Sequence, residues 1–183
     1  CGTGDLDVVR AMVERSEVDI NLADHFSRNP LHRATGGKGH FHVVQYLCEH
    51  GADIEAKDNT GWTPLHYAAD KGCVNLVKYL CDQGADKETR SNACLTPLHN
   101  AANGNDLAVV QYLCEIGADM EARNVDGWAP LHSAVWSERL PVVRYLCERG
   151  ADQEARDSDN NTPRGLSEKR TDVRKYLDQC KEL

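Results

Sequence analysis

The sequence predicts an all-α solenoid, built from stacked helix-turn-helix units with projecting hairpin-like fingers, and three observations predict it. Five of the six prolines, Pro30, Pro64, Pro97, Pro130 and Pro163, fall at spacings of 34, 33, 33 and 33. Around the first four the chain reads NPLHRA, TPLHYAA, TPLHNAA and APLHSAV. Further along each unit come VVQYLCEHGAD, LVKYLCDQGAD, VVQYLCEIGAD and VVRYLCERGAD. A helix pair of this length cannot bury both its faces alone, so such units must stack on one another.

Each element follows from its residues. Thr63-Pro64 and Thr96-Pro97 read as helix starts, a threonine oxygen for the free N–H groups and proline at the first helical position. A short apolar helix (LHYAA) follows, then a break such as DKG or NGN. A second helix carries Leu76, Val77, Leu80 and Cys81 on one face, and Gly84 ends it. The stretch ADKETRSNACL is extended and turn-rich, a finger that leads into the next Thr-Pro. The 183 residues are thus expected to form one domain: a partial repeat at 1–23, full repeats at 24–57, 58–90, 91–123 and 124–156, and a cap at 157–183.

This pattern resembles the ankyrin repeat. TPLH, the small AA pair, the YLC position where the family usually has two leucines, and GAD all stand in register from about Gly4 to Leu177. GDLDVVRAMVE resembles the second helix of an earlier repeat whose first helix is missing. NTPRGLSEKRTDVRKYL resembles a C-terminal cap, with Arg164-Gly165 in place of Leu-His and a shorter span from Pro163 to Tyr176. The left end has no such cap, so upstream sequence and self-association through that end are expected.

Composition narrows the function classes. The net charge is -8 with both signs mixed along the chain, whereas nucleic-acid binders carry a basic face. Apolar runs such as LAVVQYLC are far too short for a membrane span. With no signal-peptide pattern at the start, the expected compartment is cytosol or nucleus.

Several residues that look like chemistry read as structure. His32, His66, His99 and His132 recur once per repeat, and the resemblance implies that they hydrogen-bond within and between neighbouring repeats. Packed helices lie ~8–10 Å apart, too far for one zinc ion to be shared between copies. Cys48, Cys81, Cys114 and Cys147 recur at intervals of 33 and read as reduced core residues. Cys94 stands where Gly61 and Gly127 stand in their fingers, and is the expected exposed thiol. TGGKGH at 35–40 lacks the Ser/Thr and the strand of a phosphate loop, and reads as a one-residue insertion between two helices. Glu55, Glu88, Glu121 and Glu154, each two residues before Lys57, Arg90, Arg123 or Arg156, suggest exposed charge ladders between fingers. The resemblance also implies that an asparagine in the finger can be hydroxylated. Only Asn21 occupies that position, and it reads as an ordinary turn residue.

No catalytic residues, metal ligands or cofactor are expected. Function should lie in positions that vary between repeats, and the resemblance implies a concave surface of finger tips and first helices that binds a protein or peptide. The residue before each capping position runs Arg28, Trp62, Leu95, Trp128, Asn161. Tyr67 and Trp136 lie on first helices at positions that resemble the family's contact positions. The expected binding residues are Trp62, Tyr67, Leu95, Asn100, Asn103, Asp126, Trp128, Ser133 and Trp136, an aromatic stripe edged by amides and hydroxyls with few charges. Two readings of the stripe stay open, a partner surface or a cover over the repeat interface. A further reading is a targeting or regulatory segment of a larger enzyme or scaffold.

Overall fold

The computed structural model describes residues 6–7, 10–11, 19–37, 40–104, 106–168 and 171–179. Most of the partial repeat at 1–23, and the Lys38-Gly39 pair of TGGKGH, lie outside them. The described chain forms five consecutive helix pairs: α1 (Pro30–Gly36) with α2 (Phe41–Glu49), α3 (Pro64–Asp70) with α4 (Val74–Asp82), α5 (Pro97–Asn103) with α6 (Leu107–Glu115), α7 (Pro130–Trp136) with α8 (Leu140–Glu148), and α9 (Pro163–Leu166) with α10 (Thr171–Gln179). No strand occurs among the described residues. The molecule is an all-α solenoid. Four residues separate α1 from α2 but three separate the helices of each of the next three pairs, which accounts for the single spacing of 34.

The odd-numbered helices pack side by side in one row and the even-numbered helices in a second. Between the rows lie Leu31, Leu65, Leu98 and Leu131 from one layer and Val44, Val77, Val110 and Val143 from the other, all at most 1% exposed. Full burial of such a side chain stabilises by about 1.5–3 kcal/mol, so the core is a column of near-identical layers. Ala68, Ala69, Ala101 and Ala102 are buried on α3 and α5, where small side chains let the first helices approach closely.

The fingers are joined by their backbones. Asn59, Asn92, Val125 and Ser158 each donate an N–H to the carbonyl of Phe26, Thr60, Ala93 and Asp126 in the finger before, at 2.9–3.1 Å. At each tip one residue is left-handed: Ser27, Gly61, Cys94, Gly127 and Asn160, with φ from 56° to 76°. At Gly61 the next finger is so close that a Cβ would stand 2.6 Å from the Asn92 nitrogen. Cys94 therefore holds, with a side chain, a conformation that suits glycine. Its thiol is free but half-buried, which corrects the expectation of an exposed one. A finger tip pressed against its neighbours gives its side chain less water than its place in a turn suggests.

The charge ladders also need correction. Glu55, Glu88 and Glu121 accept the backbone N–H of Asp86, Asp119 and Asp152, one repeat on, at 2.8–2.9 Å. Lys57, Arg90 and Arg123 donate to the carbonyls of Arg90, Arg123 and Arg156 at 2.9–3.2 Å. Both charges thus serve orphan backbone groups across the repeat junction, a stronger use than an exposed ion pair. Asn21 does the same: its Oδ1 accepts the Asp53 N–H at 2.7 Å and its amide donates to the Gly51 carbonyl at 3.2 Å. It is a junction residue, not merely a turn residue.

Candidate partner-binding groove

The histidine row fixes the floor of the concave face. In α3, His66 Nδ1 accepts the Thr63 N–H at 3.1 Å and the Thr63 hydroxyl at 2.9 Å. The ring proton must then sit on Nε2, which donates to the Leu95 carbonyl at 2.9 Å. His32 and His99 likewise reach the carbonyls of Trp62 and Trp128 at 3.0 and 2.9 Å. Burial lowers the pKa of all four histidines, that of His66 to about 4, so they are neutral framework groups at physiological pH. The stripe residues Trp62, Leu95 and Trp128 are thereby held by their main chains.

Their side chains are aimed by the finger base. Asp58 Oδ1 accepts the N–H groups of Thr60 and Trp62 at 2.8 and 2.9 Å, and Asn124 Oδ1 those of Asp126 and Trp128 at 2.9 and 2.8 Å. Trp62 then stacks on His66 (centroids 6.0 Å apart) and Trp128 on His132 (6.3 Å). The Trp128 indole N–H donates to Asp157 Oδ2 at 3.0 Å. Both rings are half-buried, so each covers its own repeat and still presents an edge to the groove.

Seven of the nine expected residues come together. Trp62, Leu95, Asn100, Asn103, Asp126, Trp128 and Ser133 line one groove of about 240 Å³ that crosses three repeats. Tyr67 lies instead in an adjoining depression of about 340 Å³ with Phe26, Arg28, Asp58 and the far side of Trp62. There its hydroxyl donates to Asp58 Oδ2 at 2.7 Å, and burial, then this carboxylate, push its pKa up to about 12. Trp136 stands beside the groove with its ring 5.5 Å from Trp128, and at 52% exposed it is the most accessible tryptophan.

Three lining residues were missed: Asp70, His99 as part of the wall, and Asn124. Asp70 shares the 33-residue register of Asn103 and Trp136, and that register could have found it. With Asp70 and Asp126 together, the groove is more charged than the stripe suggested. Asp70 pairs with Lys71 at 2.9 Å.

Asn100 is 5% exposed, and its Oδ1 has no hydrogen-bond partner. Asn103 Oδ1 accepts the Ser137 hydroxyl, and its carbonyl accepts the Arg139 Nε–H at 3.1 Å. The thiols of Cys48, Cys81 and Cys114 are half-buried against the core, and burial pushes each up to about 11. Among the described residues no group of three His, Cys, Asp or Glu is placed to hold a metal ion. No described helix is long and apolar enough to cross a membrane.

Comparison with known proteins bears on the family of the repeat. A segment of the chain is 38% identical over 73 residues to the probable 26S proteasome regulatory subunit p28 of Saccharomyces cerevisiae, covering 39% of this chain and 32% of that protein. It is 36% identical over 69 residues to protein phosphatase 1 regulatory subunit 27 of Mus musculus, covering 38% of the chain and 44% of the relative. It is 34% identical over 76 residues to the putative ankyrin repeat protein YahD of Escherichia coli, covering 39% of the chain and 38% of the relative. Each match spans less than half of the relative's length. The family model for ankyrin repeats (3 copies) matches residues 1–91 and 89–157. With the repeat period, the stacked helix pairs and this match in agreement, the chain belongs to the ankyrin repeat family.

Proposed function

We propose that the chain is a non-catalytic module that binds a partner protein or peptide on its concave face, in the groove from Trp62 to Trp136. The observation that carries this reading is convergence. Variable side chains from three repeats meet in one groove, while the recurring side chains are used up in holding the stack. Tryptophans with one face packed and one edge open are pre-ordered, so a partner that covers them loses little rotamer freedom. The relatives named as regulatory subunits support the same class of role. The half-buried, high-pKa thiols suit a reducing compartment, cytosol or nucleus. Self-association through the left end is a further part of this reading, testable by sedimentation at several concentrations.

The experiment is selection of binders from a random peptide display, followed by mapping of the tightest peptide on the amide spectrum. Resonances of α3, α5 and α7 and of the finger tips should move, and Trp136→Ala with Asn103→Ala should weaken binding by about tenfold, a usual hot-spot loss. Peptides that map to α4, α6 and α8 would overturn the concave reading.

A further inference from the structure

We infer that the groove between Trp62 and Trp128 takes the guanidinium of an arginine presented by the partner segment, an inference that rests on the concave-face reading. It begins from Asn100. This residue lies on α5 in the middle of the groove and is 5% exposed, yet its side-chain oxygen meets no donor within the fold. A buried acceptor left unmatched costs about 1–3 kcal/mol, so the site favours a donor from outside.

The walls say which donor. Asp70 and Asp126 contribute two carboxylates to the lining, which contains no lysine or arginine. His99 adds no donor, because its Nε2–H is committed to the Trp128 carbonyl. Asn124 Oδ1 is occupied by two backbone N–H groups, so it holds the finger rather than a guest. Two cations touch the lining from outside: Lys71 pairs with Asp70, and Arg139 is bonded to the Asn103 carbonyl, which leaves Asp126 the freer carboxylate. Asp126 is exposed at the rim, and its side chain meets the Asn124 amide only at 3.5 Å.

Trp62 and Trp128 supply flat apolar surface beside these acceptors. A guanidinium is planar, weakly hydrated, stacks on aromatic faces and presents five donors in a fixed fork. It can therefore meet an amide oxygen and a carboxylate at once. An ammonium has a stronger hydration shell to lose and no plane to stack. A carboxylate or amide oxygen from the partner would meet acceptors.

The test uses the whole chain and four capped tripeptides, Gly-Xaa-Gly with Xaa arginine, citrulline, lysine or glutamate. Titration is followed on the Asn100 side-chain amide and the tryptophan indole resonances. The arginine peptide should give saturable shifts at Asn100 and Trp128, with citrulline weaker by roughly tenfold for loss of a charge-assisted bond. Equal or tighter binding of citrulline, lysine or glutamate in the groove overturns the arginine assignment but leaves the concave reading standing. No saturable shift with arginine overturns the assignment alone. Shifts confined to α4, α6 and α8 overturn both.

Two variants separate binding from folding. Asn100→Ala removes the unmatched acceptor without adding volume, so in a chain that circular dichroism shows to be folded it should weaken the arginine peptide by about tenfold. Unchanged arginine affinity in the folded Asn100→Ala chain overturns the assignment. Asp126→Asn, at the exposed rim, should leave the melting temperature unchanged and weaken arginine by about fivefold. Unchanged affinity in Asp126→Asn also overturns the assignment.

Discussion

The His66 and His132 junctions carry the same residue in the same place and hold it differently. At His66 three hydrogen bonds hold the ring: the Thr63 N–H and hydroxyl on Nδ1 within its own repeat, and the Leu95 carbonyl on Nε2 across the junction. At His132 the Ala129 N–H still reaches Nδ1 at 3.2 Å, but Ala129 has no hydroxyl to offer. His132 Nε2 is buried and has no partner at bonding geometry, although the Asn161 backbone is near enough to raise its pKa against the larger effect of burial. The turn before α8 is strained as well, since Glu138 holds φ 59° where the earlier repeat has Gly72. A repeated side chain is therefore worth what the next repeat supplies to it. The middle of the stack is closed, and its C-terminal junction is loosely fastened.

Four experiments bear on this contrast, from the largest expected effect to the smallest. His66→Ala should destabilise by about 3–5 kcal/mol, because it removes three buried bonds and leaves a cavity. His132→Ala should cost less by about 1–3 kcal/mol, because one bond is lost and an unmatched nitrogen goes with it. Equal melting temperatures for the two variants would break the comparison.

Acid comes second. A histidine whose folded pKa lies below its unfolded one contributes stability that is intact above the unfolded value and is lost as pH falls through the folded one. For His66 that window runs from the ordinary 6.5 down to about 4, on the order of 3 kcal/mol. Denaturant midpoints measured across this range should drop in the parent chain and drop less in His66→Gln.

Ala129→Thr should stabilise by about 1 kcal/mol by giving α7 the hydroxyl that α3 and α5 already have. No gain would mean that the C-terminal junction is loose for a reason other than the missing hydroxyl. Cys94→Gly should stabilise by about 0.5–1 kcal/mol, because relief of the left-handed backbone is partly offset by a more flexible unfolded chain. The middle of the stack would then tighten further relative to its C-terminal end. Both changes are readable as shifts in thermal midpoint.

Much of the fold was legible because each unit meets nearly the same neighbours. A 33-residue period of proline, histidine, leucine and glycine therefore encodes caps, core layers and helix ends one repeat at a time. The histidines, the extra residue between α1 and α2 and the packed thiols all follow from that register. The candidate groove was legible in part. Trp62, Trp128, Asn100 and Asn103 stood out by varying against the repeat. Asp70 did not, since an aspartate at a helix end reads as a solvated charge until its neighbours are known.

The sequence by itself determined the all-α solenoid, its period and the residues that vary within it, because those depend on spacing along the chain. Only the tertiary structure decided what each polar atom meets, because its partner is supplied by another repeat. Glu55 found a backbone N–H instead of a lysine, Cys94 was pressed into its neighbours, and His132 and Asn100 were left with an unmatched atom each. Hydrogen bonds and burial depend on separations of a few ångströms across a junction, and the register of a repeat does not carry that information.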